Sequence, residues 1–168
     1  LTGCDIARSE IWLKDTVLCA PGTTQLHIKN ATDGLMYRLR NTDLISIDMI
    51  EGQGKDAYFT ISSNKYYNIA IDAGNNCLLV LADSLQVPVS SPSLTAEVLS
   101  HATCFGCNDA SARIDINGGS SPYAIQWTED KTTLQVTDFY AGEKVAKVTD
   151  RYGCVDSTSI VINEPPSN

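Results

Sequence analysis

Two stretches of this chain run through the same order of elements, each bracketed by cysteines at matching places. The first reads Cys19, then Thr24-Gln-Leu-His-Ile-Lys-Asn30, Leu35-Met-Tyr-Arg-Leu-Arg40, Tyr67-Asn-Ile-Ala-Ile-Asp72, Asn76-Cys77 and Leu79-Val-Leu81. The second reads Cys104, then Ala112-Arg-Ile-Asp-Ile-Asn117, Pro122-Tyr-Ala-Ile-Gln-Trp127, Glu143-Lys-Val-Ala-Lys-Val-Thr-Asp150, Gly153-Cys154 and Ser157-Thr-Ser-Ile-Val-Ile162. A unit of about 80 residues therefore occurs twice, and a repeat of that length is a domain used in tandem. The 168 residues suit two small domains. The natural seam is Pro88-Val-Ser-Ser-Pro92, because its two prolines lack the N–H donor a central strand needs. The expected domains are residues 5–90 and 94–166.

Within each unit the runs alternate. Ile114 and Ile116 are separated by Asp115, and Tyr123, Ile125 and Trp127 by Ala124 and Gln126. Period-two alternation puts one face of a strand in a core and the other in water. Turn chemistry separates the runs, at Asp33-Gly34, Gly52-Gln-Gly54, Gly74-Asn-Asn76, Gly118-Gly-Ser-Ser-Pro122 and Tyr152-Gly153. No helix of ten or more residues is predicted. Short strands closely spaced between turns read as a β-sandwich.

Six cysteines in a chain this short point to an oxidising compartment. The repeat suggests the bridges Cys19–Cys77 and Cys104–Cys154, one per unit, although six cysteines allow ~15 connectivities. Cys4 and Cys107 are left over. Three readings stay open for them: Cys4 completes a preceding unit, Cys4 pairs with Cys107, or Leu1-Thr-Gly-Cys4 is the remnant of a lipidation signal. Cys104-Phe-Gly-Cys107 also has the spacing of a redox or zinc half-site. Zinc needs a second pair or histidines, and a thioredoxin-like motif needs a βαβ context; the sequence offers neither.

The net charge of −8 sets the class of partner. An acidic surface repels nucleic acid and anionic lipid over a Debye length of about 8–10 Å. The apolar runs, such as Cys77–Ala82, fall far short of the ~20 residues of a spanning helix. Neither nucleic-acid binding nor membrane insertion is expected.

The second unit resembles the SprB repeat, found in long cell-surface adhesins of gliding Bacteroidetes. The resemblance rests on Cys104-Phe-Gly-Cys-Asn-Asp109, Gly118-Gly-Ser-Ser-Pro-Tyr123 leading to Trp127, Val148-Thr-Asp-Arg-Tyr-Gly-Cys154 and Ile162-Asn-Glu-Pro-Pro166, which span roughly residues 100–166. Ala110 stands where the family has glycine, and Cys107 is an extra thiol. The first unit is a divergent relative that lacks the Gly-Gly pair and the tryptophan. The resemblance implies an all-β chain of two tandem immunoglobulin-like β-sandwiches. It also implies export by the type IX secretion route to the cell surface and a role in adhesion or gliding motility. Its partners would then be neighbouring repeats of the same chain, surface glycans, or a host or other substratum.

No catalytic motif ties a nucleophile or carboxylate to His27 or His101, the only histidines, so no enzyme activity is expected. No cofactor or metal is expected either. Asp109, Asp150 and Asp156 carry the carboxylates a calcium site would use, but no EF-hand loop or Asp-rich nonapeptide surrounds them, and they read as solvated turn residues. Asn30-Ala-Thr32 matches a glycosylation acceptor. Trp127 is expected in the core, packed on a disulfide. Trp12 points away from its neighbours Ile11 and Leu13, so it is the candidate contact for a partner or glycan. Two functions follow. One is a non-catalytic spacer or adhesion segment of a secreted adhesin. The other is an accessory carbohydrate-binding module of a secreted multidomain enzyme, which a row of exposed aromatics among Trp12, Tyr58, Tyr66 and Tyr140 would favour.

Overall fold

A computed structural model describes residues 6–167. The chain divides into two compact units, Leu1–Val89 and Ser90–Asn168, with the seam inside the proline run.

Unit 1 holds seven strands: β1 (Ile11–Leu13), β2 (Thr23–Ala31), β3 (Met36–Arg40), β4 (Ser46–Glu51), β5 (Lys55–Ser62), β6 (Tyr66–Asp72) and β7 (Leu78–Gln86). They form two antiparallel sheets, β1-β2-β5 and β4-β3-β6-β7. Unit 2 holds β8 (Ser93–Ser100), β9 (Ala110–Asn117), β10 (Ala124–Trp127), β11 (Gln135–Phe139), β12 (Gly142–Thr149) and β13 (Val155–Ile162). Its sheets are β8-β9-β11 and β10-β12-β13. Chain order and sheet order coincide between the units, except that β4 has no counterpart in unit 2. The described helical content is one short 3-10 turn, Thr128–Asp130.

The alternation sets the inward faces. In unit 1, Leu26 and Ile28 of β2 and Phe59 and Ile61 of β5 meet Tyr37 and Leu39 of β3 and Ile69 and Ile71 of β6 in one core. The buried tyrosines carry their hydroxyls to loops and a strand end. Tyr37 Oη lies 2.8 Å from Ser9 Oγ and accepts the Thr32 N–H at 2.9 Å, and Tyr67 Oη accepts the Ser62 N–H at 2.9 Å. In unit 2, Ile114, Val136, Phe139, Val148, Ile162 and Trp127 form a second core. A domain of about 80 residues buries a modest share of its surface, so each of these single cores supplies most of its unit's apolar burial.

The proline run is hydrogen-bonded on both sides of the seam, each side within its own unit. Pro88 accepts the Leu18 N–H at 3.1 Å within unit 1, and the Ser90 hydroxyl donates to buried Asp150 within unit 2. The double glycine after β9 is explained by the same crossing. Gly118 has φ +66°, and a Cβ there would sit 2.6 Å from the Ser91 carbonyl oxygen. Only glycine lets this loop lie against Ser91-Pro92.

Candidate functional site

The outward face of sheet β1-β2-β5 carries three side-chain rows, two in register and the third at a bulge where Lys29 and Asn30 stand opposite Asp56. Ile11 and Leu13 turn in to the core, so Trp12 turns out. Leu26 and Ile28 do the same for His27, and Phe59 for Tyr58. Strand pairing sets Trp12 opposite His27 and His27 opposite Tyr58. The Trp12 and His27 rings are parallel, with centroids 3.9 Å apart, and His27 and Tyr58 meet at 5.7 Å with a 39° tilt. One face of the indole is therefore covered by imidazole. Because β1 is the edge strand, the other face looks away from the sheet, and Trp12 keeps 45 % of its surface exposed. Tyr58 keeps 52 %.

Polar rows flank the aromatic one. On one side Lys29 Nζ is 3.1 Å from Glu10 Oε2, and the Asp56 carboxylate accepts the Asn30 N–H at 2.8 Å. On the other, Gln25 pairs with Thr60, and the Lys14 N–H donates to the Gln25 carbonyl at 2.9 Å. Beyond the charged row opens a cleft of about 310 Å³ lined by Arg8, Ser9, Glu10, Lys29, Asn30 and Thr32. An aromatic surface beside convergent polar groups is suited to binding and has no evident nucleophile–base pair.

Solved structures match this arrangement of strands across both units. A structure of the C-terminal 282-residue fragment of intimin, in complex with the intimin-binding domain of the translocated intimin receptor, aligns with a TM-score of 0.59 at 13 % identity. The match covers 93 % of this chain and 64 % of that one, so the chain spans less than two thirds of the intimin fragment. A chain from the complex of the mouse coronavirus receptor-binding domain with its murine receptor aligns with a TM-score of 0.53 at 13 % identity, over 94 % of this chain and 100 % of that one. The chain matches no protein-family model and no curated protein. Both units are immunoglobulin-like. Identities this low speak to the fold alone.

The immunoglobulin-like topology corrects both expected disulfides. In each unit the first cysteine precedes the second strand (β2 or β9), and the second cysteine lies in the turn after β6 or β12. Thr23 at the start of β2 pairs with Ser62, which leads directly into β6. Ala110 at the start of β9 likewise pairs with Phe139, just before β12. The strands therefore start at the same end of each immunoglobulin-like unit, and the turn that follows β6 or β12 is at the other end. Cys19 is placed by the Leu18–Val89 bridge at one pole, and Cys77, whose N–H donates to Gly74 O at 2.8 Å, at the opposite pole. Seven or eight strand residues separate the poles by about 20 Å or more, whereas bridged Cα atoms lie about 4.4–6.8 Å apart. Neither Cys19–Cys77 nor Cys104–Cys154 fits. Cys104 instead bonds Cys107 within the β8–β9 loop, with Cα atoms 5.3 Å apart. Cys19, Cys77 and Cys154 are also disulfide-bonded. Cys4 lies outside the described residues, so the readings that involve it stay as expectations. Disulfide bonding of every described cysteine fits a non-cytoplasmic, oxidising setting.

Non-reducing peptide mapping is expected to find Cys104 and Cys107 within one proteolytic peptide, two hydrogen masses below its reduced form. Recovery of Cys104 joined to a peptide holding Cys154 would restore the original pairing. A loop this short contributes about 2 kcal/mol in the chain-entropy picture, so the C104S/C107S variant keeps unit 2 folded.

The remaining candidates are dispersed. Tyr66 and Tyr140 are exposed but stand outside the Trp12 row, on β6 and in unit 2. Trp127 is in the core, as expected. Its ring neighbour, however, is Phe139, in an edge-to-face contact at 5.3 Å, and its Nε1–H donates to Thr133 O at 3.0 Å. His101 Nδ1 accepts the Asn163 N–H at 3.1 Å. The three aspartates are not brought together. Asp109 accepts from Thr103 at one end of unit 2, and Asp156 accepts the Leu94 N–H at the other. Asp150 is buried under four donors, and among the described residues no group of acidic, histidine or cysteine side chains is set up to hold a metal. Hydrogen bonds from the Thr103 side chain and backbone hold the Asp109 carboxyl below its usual range. No helix among the described residues is long and apolar enough to cross a membrane. The outward direction of Trp12 was legible in the sequence, but the register that joins it to His27 and Tyr58 has no local signature.

Proposed function

We propose that this chain is a non-catalytic segment of a long secreted cell-surface adhesin, in which unit 1 makes contact with a partner and unit 2 serves as spacer. The Trp12–His27–Tyr58 row is the observation that carries it, because an exposed tryptophan held in a preformed stack is what a contact surface needs. The sequence resemblance of unit 2 to SprB repeats supports export by the type IX route and a place in Bacteroidetes adhesion or gliding. The chemistry of both histidines supports a non-catalytic role. His27 is stacked between two rings, and His101 is engaged by Asn163. The same aromatic row favours the second reading, an accessory carbohydrate-binding module of a secreted multidomain enzyme.

Antibodies raised against the two-unit chain are expected to label intact producing cells, and beads coated with the chain are expected to stick to cells or substratum. Labelling that needs permeabilised cells would overturn surface display. Recovery of the chain only in culture fluid, on a polypeptide with hydrolase activity, would establish the enzyme-module reading instead.

A further inference from the structure

We infer that the outward face of β1-β2-β5 is a binding site for a neutral oligosaccharide, with one pyranose ring lying against the free face of Trp12. The inference rests on the contact role given to unit 1 and names the ligand class.

Three features of the face select this occupant. The first is shape. The uncovered side of the indole is turned outward at the sheet edge, and its other side is backed by His27 at 3.9 Å, so the ring is already fixed before binding. A pyranose presents a flat patch of C–H groups that packs on such a ring, and little freedom remains to be lost. The second is polarity. The apolar strip is one row wide, with Glu10 and Lys29 on one side and Lys14 and Gln25 on the other. A sugar ring has that pattern, an apolar face rimmed by hydroxyls. A protein interface of standard size instead buries about 800 Å² on each partner around a core depleted of charged residues, whereas charged side chains stand directly on both sides of this row. The cleft beside Glu10 and Lys29 supplies further donors and acceptors for a second residue of the chain. The third is charge. The protein as a whole carries −8, yet on the strands of this face the carboxylates of Glu10 and Asp56 are matched by the ammonium groups of Lys14 and Lys29, and the one further cation of the adjoining cleft, Arg8, donates from its guanidinium to the Leu81 carbonyl at 3.3 Å. A locally balanced patch on an acidic molecule gives no purchase to a polyanion and no special attraction to a polycation.

The test uses the two-unit chain and a panel of neutral hexasaccharides: cellohexaose, xylohexaose, mannohexaose and N-acetylchitohexaose, with a hexagalacturonate as the charged probe. Binding is read by calorimetry and by tryptophan emission. Trp127 is buried, so a ligand-induced shift reports Trp12. At least one neutral oligosaccharide is expected to bind one to one, with affinity nearly unchanged between 50 and 500 mM salt. W12A is expected to weaken binding at least tenfold. W12F is expected to recover part of that loss, Y58A to weaken binding a few-fold, and Y66A to leave it unchanged. Trp12 is half exposed, and retained thermal midpoints establish that W12A is folded. The inference falls if no neutral member binds, if W12A binds as well as the parent, or if hexagalacturonate alone binds and salt abolishes it. Surface labelling and bead adhesion without oligosaccharide binding would overturn this site and leave the adhesin reading standing. Oligosaccharide binding by a chain never displayed on cells would do the reverse.

Discussion

Replacing Asp150 with alanine destabilises the second unit and leaves the melting of the first unchanged. Asp150 keeps only 5 % of its surface exposed and gathers donors from three separate segments. Its Oδ1 accepts the N–H groups of Tyr152 and Cys154, each at 2.9 Å, and Oδ2 accepts the Ser120 N–H at 3.1 Å and the Ser90 hydroxyl. Truncation strands three backbone donors, and a buried donor without an acceptor is costly whatever else the site does. The expected result is a fall in the thermal midpoint of unit 2 on the order of 10 °C. Burial pushes the Asp150 carboxyl up. The hydrogen bonds from Ser90, Cys154, Tyr152 and Ser120 outweigh that and hold it below its usual value. A depressed native pKa means that the unfolded chain takes up the proton first as pH falls. Asp150 therefore contributes its full stabilisation above about pH 4, the unfolded aspartate value, and loses it as pH drops through the lower native value. Melts from pH 7 to pH 3 followed through Trp127 check both claims. An alanine variant that melts within a degree or two of the parent, or a D150N variant with the same acid limb as the parent, would remove Asp150 from this role.

The second large effect is at Trp127. Deleting its indole opens the centre of unit 2, where the ring meets Phe139 edge to face and its N–H satisfies Thr133 O. Truncating a buried Trp costs about 3–5 kcal/mol, comparable to much of the stability of a domain this small. W127F keeps most of the packing and gives up mainly the hydrogen bond, about 1 kcal/mol. Amide spectra of isotope-labelled W127A are expected to lose dispersion for β9, β10 and β12, while β2 and β5 of unit 1 keep theirs. In that variant the remaining tryptophan is Trp12, so its emission follows unit 1. An unchanged denaturation midpoint in W127A would show that the indole is peripheral to the core.

Much of this architecture was legible because its signals are local. Alternation at Ile114–Ile116 and Tyr123–Trp127 marks strands, prolines mark the seam, and two copies of one order mark two domains. Strand β4 escaped that reading. Its Ile47 and Met49 are exposed while Ile50 faces the core, and a bulge against β3 breaks the two-residue period. The disulfides were misassigned for a different reason. Matching positions in a repeat say nothing about which pole of the sandwich each position occupies, and that depends on the direction in which β2 and β6 run. Asp150 was visible within Val148-Thr-Asp150, and its donors Tyr152 and Cys154 are close in the chain, but Ser90 and Ser120 reach it only through space. The aromatic row was half visible. Alternation turned Trp12 outward, while its alignment with His27 and Tyr58 depends on strand pairing, the His27–Tyr58 partners lying some thirty residues apart in the chain.

Strand β1 has a property that matters for a molecule displaying a bare tryptophan. An aromatic residue at the rim of a sheet is an invitation to stacking by copies of the same chain, which is how fibres begin. The strand that carries Trp12 is only Ile11–Leu13, too brief a ladder for an incoming backbone to zip against. The ring can thus be sticky while the main chain beneath it is not, which permits reversible attachment without self-assembly.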